Sequence, residues 1–339
     1  MKKLIGVLLL GSLILSTLCV SAQSNYKIAR KIPVGGEGGW DYLNVDGKAS
    51  RIYLSHTSTA VVVDIKTGNI IGSIPDTKGI HGIALAQEIN RGYTSNGRDS
   101  SVTVFDLTTL KPIEKIKVTG ANPDCIMYDA FSKTVFTFNG RSSNASVIDT
   151  KNNKVVATIP LDGKPEFAAT DGKGNVFVNI ENKSGVIDVI NTKDFKVIQH
   201  WSIAPGEEPS GLALDNETHR LFSVCSNKMM VITDALTGKV ITTLPIGDRC
   251  DGVAFDPEKK LAFSSNGDGT MTVVQEVDAN TFKVLANVQT MPGARTIAVD
   301  RISHHLYLPA AEFGASAQGQ NRPSIKPNTF MVLDIEPIQ

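Results

Sequence analysis

The 339-residue chain has four cysteines, and after Cys19 only Cys125, Cys225 and Cys250 remain, widely spaced and without a C-x-x-C pair. That excludes a disulfide framework, a zinc ribbon and a dithiol redox site. The three thiols are expected to be buried as small hydrophobes, with a single Cys125–Cys250 or Cys225–Cys250 bridge as the alternative. Aromatic residues make up 6% of the chain, and Lys+Arg and Asp+Glu are equal at 34 each. There is thus no global basic field for nucleic acid or an anionic membrane. G-x-S-x-G, G-x-x-x-x-G-K-[ST] and a G-x-G-x-x-G fingerprint in a βαβ setting are missing, which disfavours serine-elbow hydrolysis and nucleotide chemistry. The six histidines form neither H-x-x-H nor H-E-x-x-H, and the adjacent His304 and His305 have a surface or packing role by default.

A long apolar run occurs once. Lys2 and Lys3 precede Leu4 to Leu18, and Val20-Ser21-Ala22 follow. Positive start, apolar middle and small-residue end are the pattern of a secretory signal peptide, too short for a lasting membrane helix. Residues 1–22 are therefore expected to be removed, leaving 23–339 as one domain, periplasmic or secreted, with no transmembrane segment. Cleavage takes Lys2 and Lys3 away and leaves a slight acidic excess.

The whole chain is 41% hydrophobic and rich in glycine at 29 residues, and beyond the apolar run it is repetitive. RIYLSH (51–56), RGYTSN (91–96), TVFTFN (134–139), NVFVNI (175–180), RLFSVC (220–225), LAFSSN (261–266) and HLYLPA (305–310) align on one aromatic column: Tyr53, Tyr93, Phe136, Phe177, Phe222, Phe263 and Tyr307. A strand such as GLALD (211–215) precedes each copy, and two more follow, as in SVIDT (146–150) and KVVATIP (154–160). Six intervals separate Asp41 from Arg295, about 42 residues each, the length of a four-stranded propeller blade. The predicted fold is all-β, a seven-bladed β-propeller. After HLYLPA only TFMVLDI (329–335) remains, so the last blade lacks an outer strand. The segment YKIARKIPVGG (26–36) resembles the outer strands elsewhere and is expected to complete that blade, closing the ring.

Tyr93-Thr94-Ser95-Asn96, Phe136-Thr137-Phe138-Asn139 and Phe263-Ser264-Ser265-Asn266 resemble the Tyr-Val-Thr-Asn signature of the YVTN repeat family. The whole mature chain is similar to bacterial YncE-like β-propellers. The resemblance implies an exported propeller, with single-stranded DNA binding proposed for some relatives. The neutral charge balance of this chain gives that little support, so nucleic acid is not an expected partner.

Strand order places the loop opening each inner strand A and the turn between strands B and C on one rim of the channel, where propellers commonly hold ligands. The opening column carries Asp41, Gly82 (after His81), Asp124, Glu166, Ser210, Asp251 and Arg295; the B-end column carries His56, Asn96, Asn139, Ile180 (beside Asn179 and Glu181), Cys225, Asn266 and Ala310. Asn96, Asn139 and Asn266, each followed by glycine, have a competing explanation as tight-turn residues. His81 and Trp40 stand where Pro123, Pro165 and Pro209 stand in other blades, and such departures are expected at functional sites. Glu207, in the enlarged loop 204–209, is expected near Glu166 and Glu181.

The ligand-site candidates are Trp40, Asp41, His56, His81, Asn96, Asn139, Glu166, Glu181, Glu207, Asp251, Asn266 and Arg295. No cofactor is required; a divalent cation such as Ca²⁺ could be held by Glu166, Glu181, Glu207 and Asp251. The connection Pro309–Asn328, expected to lack structure of its own, could bring Glu312, Phe313 and Arg322 over the channel mouth. Two functions remain open. One is a monomeric binding or scaffold propeller for a small polar ligand, glycan or protein partner. The other is a lactonase- or lyase-like enzyme for a small anionic substrate, with Arg295 holding the anion and His81 or Glu166 moving a proton.

Overall fold

The aromatic column is the core of the molecule: Tyr53, Tyr93, Phe136, Phe177, Phe222, Phe263 and Tyr307 are all at most 2% exposed. Each contributes about 2–3 kcal/mol by burial, and each lies at the middle of a strand whose alternating residues face the neighbouring blades. The computed structural model describes residues 26–316 and 323–338; the expected signal peptide lies outside them.

Seven four-stranded antiparallel sheets form the seven blades of a β-propeller. Blade one is Leu43–Asp46, Arg51–His56, Thr59–Asp64 and Ile70–Ile74, strands A to D from the channel outward. Blades two to six repeat that order without crossovers. Inner strands of adjacent blades approach one another around the whole ring, including Leu43–Asp46 of blade one against Ala298–Val299 of blade seven. Blade seven is completed as the sequence predicts: Tyr26–Pro33 pairs with Met331–Pro337 in antiparallel register, Ile32 opposite Val332.

The connection 309–328 differs from expectation. It contains a two-stranded hairpin, Phe313–Ser316 with Pro323–Ile325, whose base is tied down by Asn328 N–H donating to Gly36 O at 3.0 Å. Glu312 pairs with Lys326 at 3.1 Å, and Arg322 lies outside the described residues. The described cysteines are free and buried, as the sequence suggests.

Candidate functional site at the channel rim

The rim side chains are aimed by a repeated backbone irregularity. In blades two to six the pairing of strand A with strand B shifts register just inside the rim, between Ile80 and Ile83, Pro123 and Ile126, Pro165 and Ala168, Pro209 and Leu212, and Cys250 and Gly252. Such bulges turn a side chain away from the regular pleat. The first residue inside each is His81, Asp124, Glu166, Ser210 and Asp251 in turn.

This corrects the sequence alignment by one residue in blade two. Ile80, not His81, occupies the position of Pro123, Pro165 and Pro209, because Ile80 pairs with Asn96 as Pro123 pairs with Asn139. His81 therefore belongs to the opening column itself, an imidazole among carboxylates.

Buried polar side chains hold the bulges. Ser95 Oγ accepts from Gly82 N–H at 2.8 Å and donates to Asp124 O in the next blade. Asn179 Nδ2 donates to Ser210 O and Gly211 O, each at 3.0 Å, and Ser265 Oγ donates to Arg295 O. Except for the Gly82 bond, which stays within blade two, these contacts cross from one blade to the next, so the ring geometry and the rim geometry are fixed together.

Three charged groupings result. His81 Nδ1 lies 2.7 Å from Asp41 Oδ2 and 3.5 Å from Asp124 Oδ1. Lys164 pairs with Glu166 at 2.9 Å and also with Glu181. Arg295 pairs with Asp251. Burial pushes the Asp124 carboxyl up to about 7, with Asp41 adding to burial and His81 opposing it. Burial and the nearby Asp124 charge push Glu166 up to about 8, and burial raises Asp251 to about 6 against the pull of Arg295. For His81, burial acts downward, but the Asp41 hydrogen bond and the charges of Asp124, Asp41 and Glu166 carry it above its ordinary value. These groups from different blades thus feel one another across the channel mouth.

Below them the channel is crossed by Tyr42. Its hydroxyl, from blade one, donates to Glu166 O of blade four at 3.4 Å, and its ring meets Phe167 at 5.3 Å. A cavity of about 710 Å³ opens at the opposite end of the inner strands. Its described lining ionises only at Lys48, Asp300 and Arg301, and Asp300 is engaged by Ile302 N–H and Ser303 Oγ. Interacting titratable groups concentrate on the charged mouth, which is therefore the stronger candidate.

The other sequence candidates divide cleanly. Asn96, Asn139 and Asn266 are fully buried, and their amides are used inside the sheets. Asn139 Nδ2 donates to Asn144 Oδ1 at 2.8 Å and Ser146 Oγ at 3.0 Å, and its Oδ1 accepts from Thr137 at 3.1 Å. Asn96 and Asn266 make the equivalent bonds with Thr94, Ser101 and Thr103, and with Ser264, Thr270 and Thr272. Nor are they positive-φ turn residues; Ser100, Ser143 and Gly269 take that conformation instead. The loop above Asn139 needs Gly120, since a Cβ there would sit 2.3 Å from the amide nitrogen.

Trp40 and His56 form a separate aromatic group at the junction of blades one and seven. Both stack on Phe330, at 5.2 and 4.6 Å, and Phe313 of the hairpin meets Trp40 at 6.3 Å. Burial lowers the His56 pKa, so its ring is neutral there. Glu207 is exposed and does not join the carboxylates: Ser226 binds its backbone carbonyl. The expected Ca²⁺ cage of Glu166, Glu181, Glu207 and Asp251 is therefore not assembled, because Lys164 and Arg295 neutralise three members and the fourth stands apart. Arg295 has a carboxylate partner already and is no free anion clamp.

Tyr42 and Lys164 went unnoticed in the sequence. Lys164 stands two residues before Glu166, a signal available only once the bulge places both on the rim.

Comparison with known proteins agrees with this architecture. Chains from Kuenenia stuttgartiensis hydrazine synthase (TM-score 0.71, 18% identity, 80% of this chain and 92% of that one), from the structure of U3-55K (0.77, 9%, 90% and 97%) and from the RRP9 WD40 repeats (0.76, 9%, 93% and 99%) superpose on it. The likeness is one of fold. No family model matches the chain. Antigen Lp49 of Leptospira interrogans serogroup Icterohaemorrhagiae serovar copenhageni (strain Fiocruz L1-130) is 24% identical over 235 residues, 65% of this chain and 51% of its own. The match thus spans about half the length of that relative. Among the described residues no helix is long and apolar enough to cross a membrane.

Proposed function

We propose that this chain is an exported propeller of the YVTN-repeat type that binds a small polar ligand on the charged rim. The observation that carries the proposal is the convergence of Asp41, His81, Asp124, Glu166, Asp251 and Arg295, one from each of six blades, with bulges aiming four of them above the Tyr42 crossing. Five carboxylates (Asp41, Asp124, Glu166, Glu181, Asp251) face two permanent cations, Lys164 and Arg295. A hydroxyl-rich or cationic ligand suits that balance better than the anionic substrate of the enzyme reading. Each charged side chain already has an opposite-charge neighbour, so binding exchanges hydrogen bonds within a preorganised ring.

The test is isothermal titration of the mature protein with a panel of monosaccharides, polyols and small amines, repeated with Asp251→Asn. The expected result is saturable binding by one class, weakened about tenfold or more in the variant, as for a lost charge-assisted hydrogen bond. Binding that ignores Asp251→Asn, or no binding across the panel, overturns the rim reading.

A further inference from the structure

The grouping at His81 has a property that the other rim pairs lack. Asp41, His81 and Asp124 each offer one ligand atom, and the three atoms lie within 4.8 Å of one another. Asp124 is only 8% exposed, yet its Oδ1 receives no hydrogen bond and faces His81 Nδ1 at 3.5 Å. One imidazole nitrogen carries at most one proton, and Asp41 Oδ2 at 2.7 Å takes it. A buried carboxylate oxygen is thereby left aimed at a nitrogen that cannot serve it, which is costly unless something else occupies the point between them.

We propose that Asp41, His81 and Asp124 bind one divalent transition-metal ion, with Zn²⁺ favoured, on the same rim that the reading above assigns to ligand binding. The 2.7 and 3.5 Å separations bracket the roughly 3.0–3.5 Å edge between neighbouring donors around an ion with bonds near 2.1 Å. An ion would replace the single proton and satisfy both carboxylates together. One imidazole nitrogen with two carboxylates selects a borderline ion such as Zn²⁺ over Ca²⁺ or Mg²⁺, which prefer all-oxygen cages. Three protein donors leave a position open towards the channel mouth, so a hydroxyl of the polar ligand could complete the coordination. The donors come from equivalent rim positions of blades one, two and three, which the ring itself holds in place.

Blade four supplies an internal contrast. Asp162, Asp188 and His200 also gather three donors, but Asp188 is fully bonded, to Asp162 N–H at 2.9 Å and His200 Nδ1 at 2.7 Å, and nothing there is orphaned.

The experiment is titration of chelator-stripped mature protein with ZnCl₂, CaCl₂ and CoCl₂, alongside Asp124→Asn, Asp41→Asn and His200→Ala, each checked for folding by circular dichroism. The expected result is one Zn²⁺ per chain, much weaker Ca²⁺, and visible d–d bands with Co²⁺. Asp124→Asn should lose more affinity than the roughly 10–100-fold that removal of an outer partner costs, and His200→Ala should change nothing. Asp41→Asn carries the same expectation should Asp124→Asn misfold. No stoichiometric Zn²⁺, equal Zn²⁺ and Ca²⁺ affinity, or loss on His200→Ala instead of Asp124→Asn overturns the proposal. Organic-ligand binding that persists in chelator and depends on Asp251 would leave the rim reading standing while the metal site fails. Zn²⁺ binding without any organic ligand would do the reverse.

Discussion

Glu166 shows what the rim costs the fold. Its carboxyl is raised to about 8 by burial and the Asp124 charge, against about 4.3 in an unfolded chain. Between those values the folded state keeps a proton that the unfolded state has released, so stability falls as pH rises and the full penalty is present above pH 8. His81, also raised, loses its stabilising charge as pH rises through its folded value and acts in the same direction. Glu166→Gln is therefore expected to be more stable than the parent by on the order of 1–3 kcal/mol at pH 8 and equal to it near pH 4. Urea unfolding in chelator at the two pH values measures this, and a difference independent of pH would refute the assigned burial. The sequence marked Glu166 as a rim residue by repeat position alone. It could not mark the penalty, which comes from burial on the rim and from the charge of Asp124, a residue 42 positions earlier that only the ring brings close.

At the scale of a strand, the recurring Asn at the end of strand B is a structural device. Its amide bridges hydroxyls or amides on strand C five and seven residues later in blades two and three, and four and six later in blade six. Blade four, whose strand B ends in Ile180, replaces the set with buried Asp188 paired to the exposed His200. The pattern Asn139…Asn144…Ser146 is visible in the sequence, but the following glycine suggests a turn residue, and only the strand register shows the side chain pointing inward. Asn139→Ala removes three hydrogen bonds and leaves the buried Thr137 hydroxyl without its Asn139 partner, while Asn144 and Ser146 keep their bonds to Ser142 and Thr119. The expected cost is about 2–4 kcal/mol, read from urea unfolding, with rim binding unchanged. A near-neutral result would mean that water enters and restores those bonds.

The ring as a whole was the most legible feature, because a 42-residue period with one aromatic per copy leaves few architectures that bury every blade. The way the ring holds shut was legible too, because the last repeat lacks an outer strand that the segment 26–36 resembles, and it depends on the first and last strands meeting. Tyr26–Pro33 supplies the outer strand of blade seven while its continuation opens blade one, so one segment ties the last blade to the first. Ile32 is 2% exposed, Arg30 pairs with Asp334 at 2.7 Å, and Tyr26 meets Phe263 of blade six edge-on at 5.1 Å. Without this strand, Met331–Pro337 becomes an unpaired edge and the ring loses its covalent link across the blade seven to blade one boundary. Deleting the segment up to residue 34 is expected to destabilise far beyond a single core truncation, which for Ile32→Ala is about 2–5 kcal/mol. Calorimetry should show a lower and broader transition, with blade seven the first to exchange its amide hydrogens. An unchanged transition in the deletion would mean that the inner-strand contacts between Leu43–Asp46 and Ala298–Val299 hold the ring closed on their own, and that the outer strand is dispensable.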